Sequence, residues 1–498
     1  MLYQSTRSNN EKISAANAIL RGIATDGGLY MPENLSSINF DYKRTIKMDT
    51  FEIAKYVLST LFTDFSEEEM GELVNKAYSN KFETDVLTPT VKVGDSYVLE
   101  LFRGPTSAFK DVALSMLPQL MTASRKKLNI EEETVILTAT SGDTGKAALE
   151  GFHDVEGTKI IVFYPHGGVS PIQKAQMVTQ EGNNVCVCAV RGNFDDAQTG
   201  VKKIFNTCAK ENLLKGTGCE LSSANSINVG RLAPQIVYYF RSYADLVNNG
   251  EIKLGDKVNF VVPTGNFGDI LAGYFAKLLG LPVDKLVCAS NANDVLTEFL
   301  NTGRYNRMRT FFKTVSPSMD ILVSSNLERL LYLALGCNSN KTAEYMKQLD
   351  EQGEYTIEPE ILNELKNVFW AACCDDSYTQ KTIGEVYKKY NYLCDTHTAV
   401  GWNVAEQFKK ATGNTNPVIV LSTASPYKFA DAVSRAIGLP EETDEFVLMD
   451  KLSSATNIPI PTGLAGLKGK NEIHTDVIDK DNMLDYVLQK LGESEWTK

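Results

Sequence analysis

Seven short apolar runs, rich in β-branched residues, set the strongest limit on how this chain folds. They are Tyr97–Leu101, Val135–Ala139, Ile160–Tyr164, Val185–Val190, Val258–Val262, Leu286–Ala289 and Val418–Leu421. Most are near-continuous in apolar character rather than alternating, as strands covered on both faces are. Stretches that read as helices lie between them, among them Phe109–Leu128 and Ser226–Val247. Strand–helix alternation of this kind predicts an α/β fold with open, parallel sheets.

The first 90 residues differ. Asn10–Ile23, Phe51–Phe62 and Ser66–Ala77 read as helices, and a Gly27-Gly28 turn and Pro32 separate the first two. This predicts an α-rich N-terminal domain over 1–90. The segment 294–388 is also helix-biased and acidic, which predicts an insertion into the α/β part. Beyond Asp444 come Pro and Gly clusters and a last helical stretch, Asp481–Leu491. A chain of 498 residues is long for one core and implies about two or three domains.

Composition excludes several classes. The formal net charge of -12 makes a general nucleic-acid binder or an anionic-membrane binder a poor expectation. Any anionic substrate would need positive groups local to a pocket. The nine cysteines are odd in number and scattered, without a CxxC pair, and the four histidines lie far apart in sequence. Neither a disulfide framework nor a metal site is expected. No segment offers the roughly 20 apolar residues of a membrane span. The start, MLYQSTRSNNEK, lacks a basic stretch followed by an apolar one, so the expected location is the cytoplasm.

Three loops follow strands, where open α/β sheets bind ligands. The first is Pro263-Thr264-Gly265-Asn266-Phe267-Gly268-Asp269, between Lys257–Val262 and a helix whose apolar residues are Ile270, Leu271, Tyr274, Phe275, Leu278 and Leu279. Gly265 and Gly268 let backbone N–H groups approach an anion at the helix start. No Lys-Ser/Thr pair follows, so this is not a Walker loop, and its compactness suits one phosphate monoester. A tight strand-to-helix turn is the plain alternative. The second loop, Thr138-Ala139-Thr140-Ser141-Gly142-Asp143-Thr144-Gly145, could hold a carboxylate, or Ser141 or Asp143 could simply cap a helix. The third, Gly104-Pro105-Thr106-Ser107-Ala108-Phe109-Lys110-Asp111, puts Lys110 in or near the first turn of a helix. A cation is unfavourable there, unless an anion lies close or the charge is lost.

Together these segments resemble one family. Gly-Pro-Thr-Ser-Ala-Phe-Lys-Asp is similar to the cofactor-lysine segment of fold-type II pyridoxal-phosphate enzymes. Ser-Gly-Asp-Thr-Gly and Gly-Asn-Phe-Gly-Asp resemble loops of its threonine synthase branch. So do Asn225-Ser226-Ile227-Asn228 with Arg231 and Tyr238-Tyr239-Phe240, Asp26-Gly27-Gly28-Leu29-Tyr30 with Pro32, and Leu421-Ser422-Thr423-Ala424-Ser425-Pro426. The match runs through most of the chain in family order. It departs at Val229-Gly230, where a bulky residue is expected, and at Ala424-Ser425-Pro426, where relatives often carry Ala-His-Pro.

The resemblance implies a fold-type II architecture, with the cofactor between two open α/β domains. It divides the chain into the α-rich 1–90, a large cofactor domain of 91–115 and 235–498, and a smaller domain of 116–234. It implies that Lys110 carries pyridoxal phosphate and then serves as base. Gly265, Asn266, Phe267, Gly268 and Asp269 would surround the cofactor phosphate, with the Asp269 carboxylate turned away. Thr423 would face the pyridine nitrogen and Asp143 the 3-hydroxyl. Ser141 and Thr144 would take the substrate carboxylate. Arg231 with Asn225, Ser226 and Asn228 would take a substrate phosphate, since an arginine fork matches that group. The activity implied is conversion of O-phospho-L-homoserine and water to L-threonine and phosphate, by a monomer or homodimer. The rivals are a phospholyase that releases 2-oxobutyrate and a fold-type II serine/threonine dehydratase.

Overall fold

In this computed structural model, residues 1–492 are described. The continuous apolar runs become strands buried on both faces: Val258–Pro263 and Val418–Ser422 are buried at every position. The larger sheet has six strands, in the order Phe369–Cys373, Val283–Ser290, Val258–Pro263, Val418–Ser422, Ser96–Glu100 and Thr90–Val93. All neighbours are parallel except the last pair. The smaller sheet has five parallel strands, in the order Val477–Asp479, Val185–Arg191, Thr158–Pro165, Glu133–Ala139 and Cys219–Ser222.

Strand order fixes the site. Val258–Pro263, Val418–Ser422 and Ser96–Glu100 are consecutive neighbours running the same way. Their C-terminal ends therefore release the glycine loop, Thr423 and the Lys110 segment side by side. Two backbone bonds tie the last two together: the Phe109 N–H donates to the Thr423 carbonyl at 2.8 Å, and the Ser425 N–H donates to the Ser107 carbonyl at 3.0 Å.

The N-terminal region is helical but not only so. Leu2–Ser5, Lys12–Ser14 and Tyr30–Pro32 form an antiparallel three-stranded sheet. The expected helix over 10–23 is accordingly shorter, Ala15–Arg21, and starts where the Ser14 hydroxyl accepts the Asn17 N–H. Thr50–Leu61 and Glu67–Tyr78 follow expectation, each opened by a capping box, from Asp49 with Glu52 and from Ser66 with Glu69.

Three other expectations change. The single helix over 226–247 is broken into Val229–Leu232, a tight turn Ala233–Gln235 and Ile236–Asn248. Pro234 lacks an N–H, which accounts for the break. The region 294–388 is mostly helical, yet its Phe369–Cys373 strand forms the edge of the larger sheet and so is not an external insertion. The C-terminal segment returns to the smaller sheet, outside the 116–234 division expected for it. Val477–Asp479 pairs with Val185–Arg191, and Met483, Tyr486 and Val487 share a core with Val201 and Ile204. Among the described residues no helix is long and apolar enough to cross a membrane.

Candidate active site

Lys110 opens the helix Lys110–Leu128 and is buried, with Phe109 at the cap position. Its Nζ lies 3.7 Å from Asp143 Oδ2 and 4.9 Å from the centre of the Phe109 ring. Burial lowers the Lys110 amine to about 8; Asp143 opposes the shift, while Arg231 and Lys428 add to it. At pH 7 roughly a tenth of this amine is therefore neutral, against well under a thousandth of an ordinary lysine at about 10.4.

Asp143 is the first residue of the helix Asp143–Phe152, behind Gly142 at φ 145, and the cap makes no side-chain bond. Asp143 does not cap its helix. Its Oδ1 accepts from Lys428 Nζ at 2.7 Å and from Gln173 Nε2 at 3.0 Å, and its Oδ2 accepts from Ser318 Oγ at 3.4 Å. Burial would raise this carboxyl, but Lys428 and then Lys110 outweigh it and hold it well below the usual carboxylate range. Ser141 is exposed and Thr144 half-buried on the same loop.

The glycine loop is built as a cradle. A Cβ on Gly265 would lie 2.9 Å from the Ser318 carbonyl, so backbone and loop already touch. Phe267 takes φ 62, a strained value for a bulky residue, and no side chain caps the helix Gly268–Leu278. Its first-turn N–H groups thus remain for an anion. Asn326 clamps the loop through its N–H and Nδ2, which donate to the Asn266 carbonyl at 3.0 and 3.1 Å. Asp269 faces away, accepting from Tyr238 at 2.6 Å and Tyr239 at 2.9 Å. Burial raises its carboxyl to about 6 against these two bonds. The buried Ser107 hydroxyl, in a residue at φ 58, has no hydrogen-bond partner among the described residues. An uncapped helix start, a glycine cradle, a buried low lysine and an orphaned hydroxyl fit pyridoxal phosphate, a phosphomonoester joined to a polar ring.

Arg231 is buried and donates from Nη1 to the Ala224 carbonyl at 2.7 Å. No carboxylate pairs with it among the described residues, and burial lowers the guanidinium to about 10. Ser226 approaches the glycine loop, where a Cβ on Gly268 would lie 3.8 Å from the Ser226 Cβ. Asn225 is exposed nearby. Asn228 departs from expectation. It is fully buried; its Nδ2 donates to the Ile19 carbonyl and its Oδ1 accepts the Gly230 N–H, each at 2.8 Å. Both ends of that amide are engaged, in capping the helix and in docking the N-terminal region.

Sequence reasoning missed Lys428, Gln173, Ser318, Asn326 and the buried pair Asp395–His397. The His397 Nδ1 lies 2.8 Å from Asp395 Oδ1, and the Ser318 N–H donates to its Nε2 at 3.2 Å. That pair braces the backbone that packs on Gly265.

The fold and the site define a pyridoxal-phosphate-dependent enzyme of fold type II. Residues 86–360 match the family model for pyridoxal-phosphate dependent enzymes, residues 2–78 that for the threonine synthase N terminus, and residues 398–483 that for the threonine synthase C-terminal region. Threonine synthase of Pseudomonas aeruginosa is 39% identical over 88% of this chain and 90% of that protein. Threonine synthase of Saccharomyces cerevisiae is 37% identical over 90% of this chain and 94% of its own length. The structure of PLP-bound threonine synthase from Brucella melitensis superposes with a TM-score of 0.86 at 36% identity, covering 99% of this chain and 98% of that one. Threonine synthase-like 1 of Macaca fascicularis is 38% identical over 86% of this chain, which spans only 59% of that longer protein. The chain belongs to the threonine synthase family.

Proposed function

We propose that the chain converts O-phospho-L-homoserine and water to L-threonine and phosphate, with pyridoxal phosphate carried on Lys110. The observation that carries this reading is Arg231. The glycine loop accounts for the phosphate of the cofactor; a buried guanidinium without a carboxylate partner among the described residues leaves room for a second anion. The rival that acts on unphosphorylated serine or threonine has no use for it.

When bound, the cofactor supplies an electron sink for carbanions. The chain does the rest. Gly265, Asn266, Phe267 and Gly268 would hold the cofactor phosphate by backbone N–H groups at a helix start. Asp269 supports that loop through Tyr238 and Tyr239. Thr423 would offer a hydroxyl rather than a carboxylate to the pyridine nitrogen, which would leave that nitrogen largely neutral, and Asp143 would face the 3-hydroxyl. Ser141 and Thr144 orient the substrate carboxylate. Arg231, with Ser226 and Asn225, grips the phosphate that leaves. Lys110, once free, accepts protons from Cα and Cβ, and its depressed proton affinity suits it to that task near neutral pH.

We assign the site to the cleft between a large domain of 91–115 and 235–476 and a smaller domain of 116–234 completed by 477–491. The cysteines form no disulfide among the described residues, which favours a reducing compartment, the cytoplasm, for a monomer or homodimer.

The test is product analysis with the full chain, pyridoxal phosphate and O-phospho-L-homoserine. Threonine and phosphate are expected in equal amounts. Release of 2-oxobutyrate without threonine would make the chain a phospholyase. Turnover of serine or threonine alone would make it a dehydratase. Either outcome overturns the reading.

A further inference from the structure

Lys428 lies in the short turn Pro426–Phe429, just past the Val418–Ser422 strand. Its side chain is fully enclosed. The ammonium donates to Asp143 Oδ1 at 2.7 Å and to the Thr106 carbonyl at 2.9 Å. Lys110 reaches the other oxygen of the same carboxylate at 3.7 Å. One carboxylate therefore serves two buried ammonium groups, and the closer bond goes to Lys428. A lysine is rarely this enclosed, because a buried charge is costly unless paired.

The charges around Lys110 come from five elements. Asp111 is next in its own helix, and its carboxylate is taken by the Thr106 N–H at 2.9 Å and by the Thr106 hydroxyl. Asp269 is taken by Tyr238 and Tyr239. Arg231 and Lys428 are the cations that oppose the Lys110 charge. Asp143 is the carboxylate left for Lys110 to share, and His397 lies beyond it with its Nε2 accepting the Ser318 N–H.

We propose that Lys428 is a positioning residue for Lys110. By occupying one oxygen of Asp143 and adding a second buried positive charge, it leaves less of that carboxylate to hold the Lys110 ammonium, so that Lys110 gives up and takes back its proton more readily near neutral pH. A purely structural lysine would need only its hydrogen bonds; this role needs its charge. The inference rests on Lys110 as the cofactor lysine and base, but its test does not depend on turnover.

The test is competitive acetylation of the full chain, stripped of cofactor, across a pH series. Peptide mass spectrometry then gives the titration midpoint of Lys110. The parent midpoint is expected near the depressed value of about 8. Lys428→Met and Lys428→Gln are both expected to raise it by about one pH unit, the scale of one close charge. Lys428→Gln keeps a donor without the charge, so an unmoved midpoint in that folded variant would reduce Lys428 to a structural bond and overturn the proposal. Asp143→Asn should move the midpoint the other way, because both cations remain and the shared anion is gone. If the Lys428 variants fail to fold, the parent chain decides: a Lys110 midpoint at the ordinary lysine value of about 10.4 overturns the proposal. A chain that passes this titration but makes no threonine would refute the proposed activity and leave the charge relation standing.

Discussion

Asp143 and Lys428 meet at 2.7 Å with 3% and 0% of their side chains exposed. The two come from different sheets. Asp143 follows the Glu133–Ala139 strand of the smaller one, and Lys428 follows the Val418–Ser422 strand of the larger. The ion pair thus bridges the halves that flank the site.

Asp143→Ala leaves Lys428 buried without its anion. Breaking a buried pair in this way destabilises by roughly 3–5 kcal/mol. Denaturant titration of the variant against the parent checks it. Because the pair is enclosed, the loss should change little between low and high salt.

Arg231→Ala is expected to lower kcat/KM for O-phospho-L-homoserine by roughly 100-fold or more, the usual range for truncating one partner of a buried charged contact. Cofactor content, read from its absorbance, should stay near that of the parent. Steady-state kinetics beside a cofactor titration separates a substrate-phosphate role from a collapse of the site.

Arg329 is fully buried between three segments. Its Nε and Nη2 donate to the Tyr30 carbonyl, each at 3.2 Å, and its Nη1 donates to Asn326 Oδ1 at 2.6 Å. It also donates to the Ile227 carbonyl. One side chain therefore joins the N-terminal Asp26–Tyr30 motif, the 225–228 segment and the residue that clamps the glycine loop. Arg329→Met should leave those acceptors unpaired, at about 1–3 kcal/mol each for the ones that water cannot reach. Faster limited proteolysis within residues 1–90 and weaker cofactor retention are the expected readouts.

The three ligand loops were legible because each puts small and hydroxyl-bearing residues between an apolar run and a helix. Gly265, Gly268, Asp143 and Lys110 stand at such positions, and the strand order brings them together. Lys428, Gln173 and His397 were not legible. Each sits in a different segment and looks like an ordinary helix or turn residue until the fold buries it. Asn228 was read only as a ligand, although a polar residue ahead of a helix serves as a cap as readily. The strands Phe369–Cys373 and Val477–Asp479 were also missed. One follows a helix without a turn signal, and the other has three residues, too few for any periodicity to show.

Lys110 makes stability depend on pH in a definite direction. Its folded value of about 8 lies below the ordinary value of about 10.4, so the folded state disfavours the charged amine. The resulting destabilisation is full below pH 8, shrinks as pH rises from about 8 to 10.4, and vanishes above. Without cofactor, Lys110→Met should therefore be more stable than the parent below pH 8, by up to about 3 kcal/mol. That advantage should fade across the stated window. Thermal unfolding of both chains over the pH series measures it; a constant difference would remove the titration of Lys110 as its cause.

The most direct measurement of the central claim is borohydride reduction of the chain loaded with pyridoxal phosphate, followed by peptide mapping. The account expects one cofactor-bearing peptide, with the label on Lys110 and not on the neighbouring Lys428. A label on Lys428, or no covalent label on a protein that nonetheless makes threonine, would contradict it.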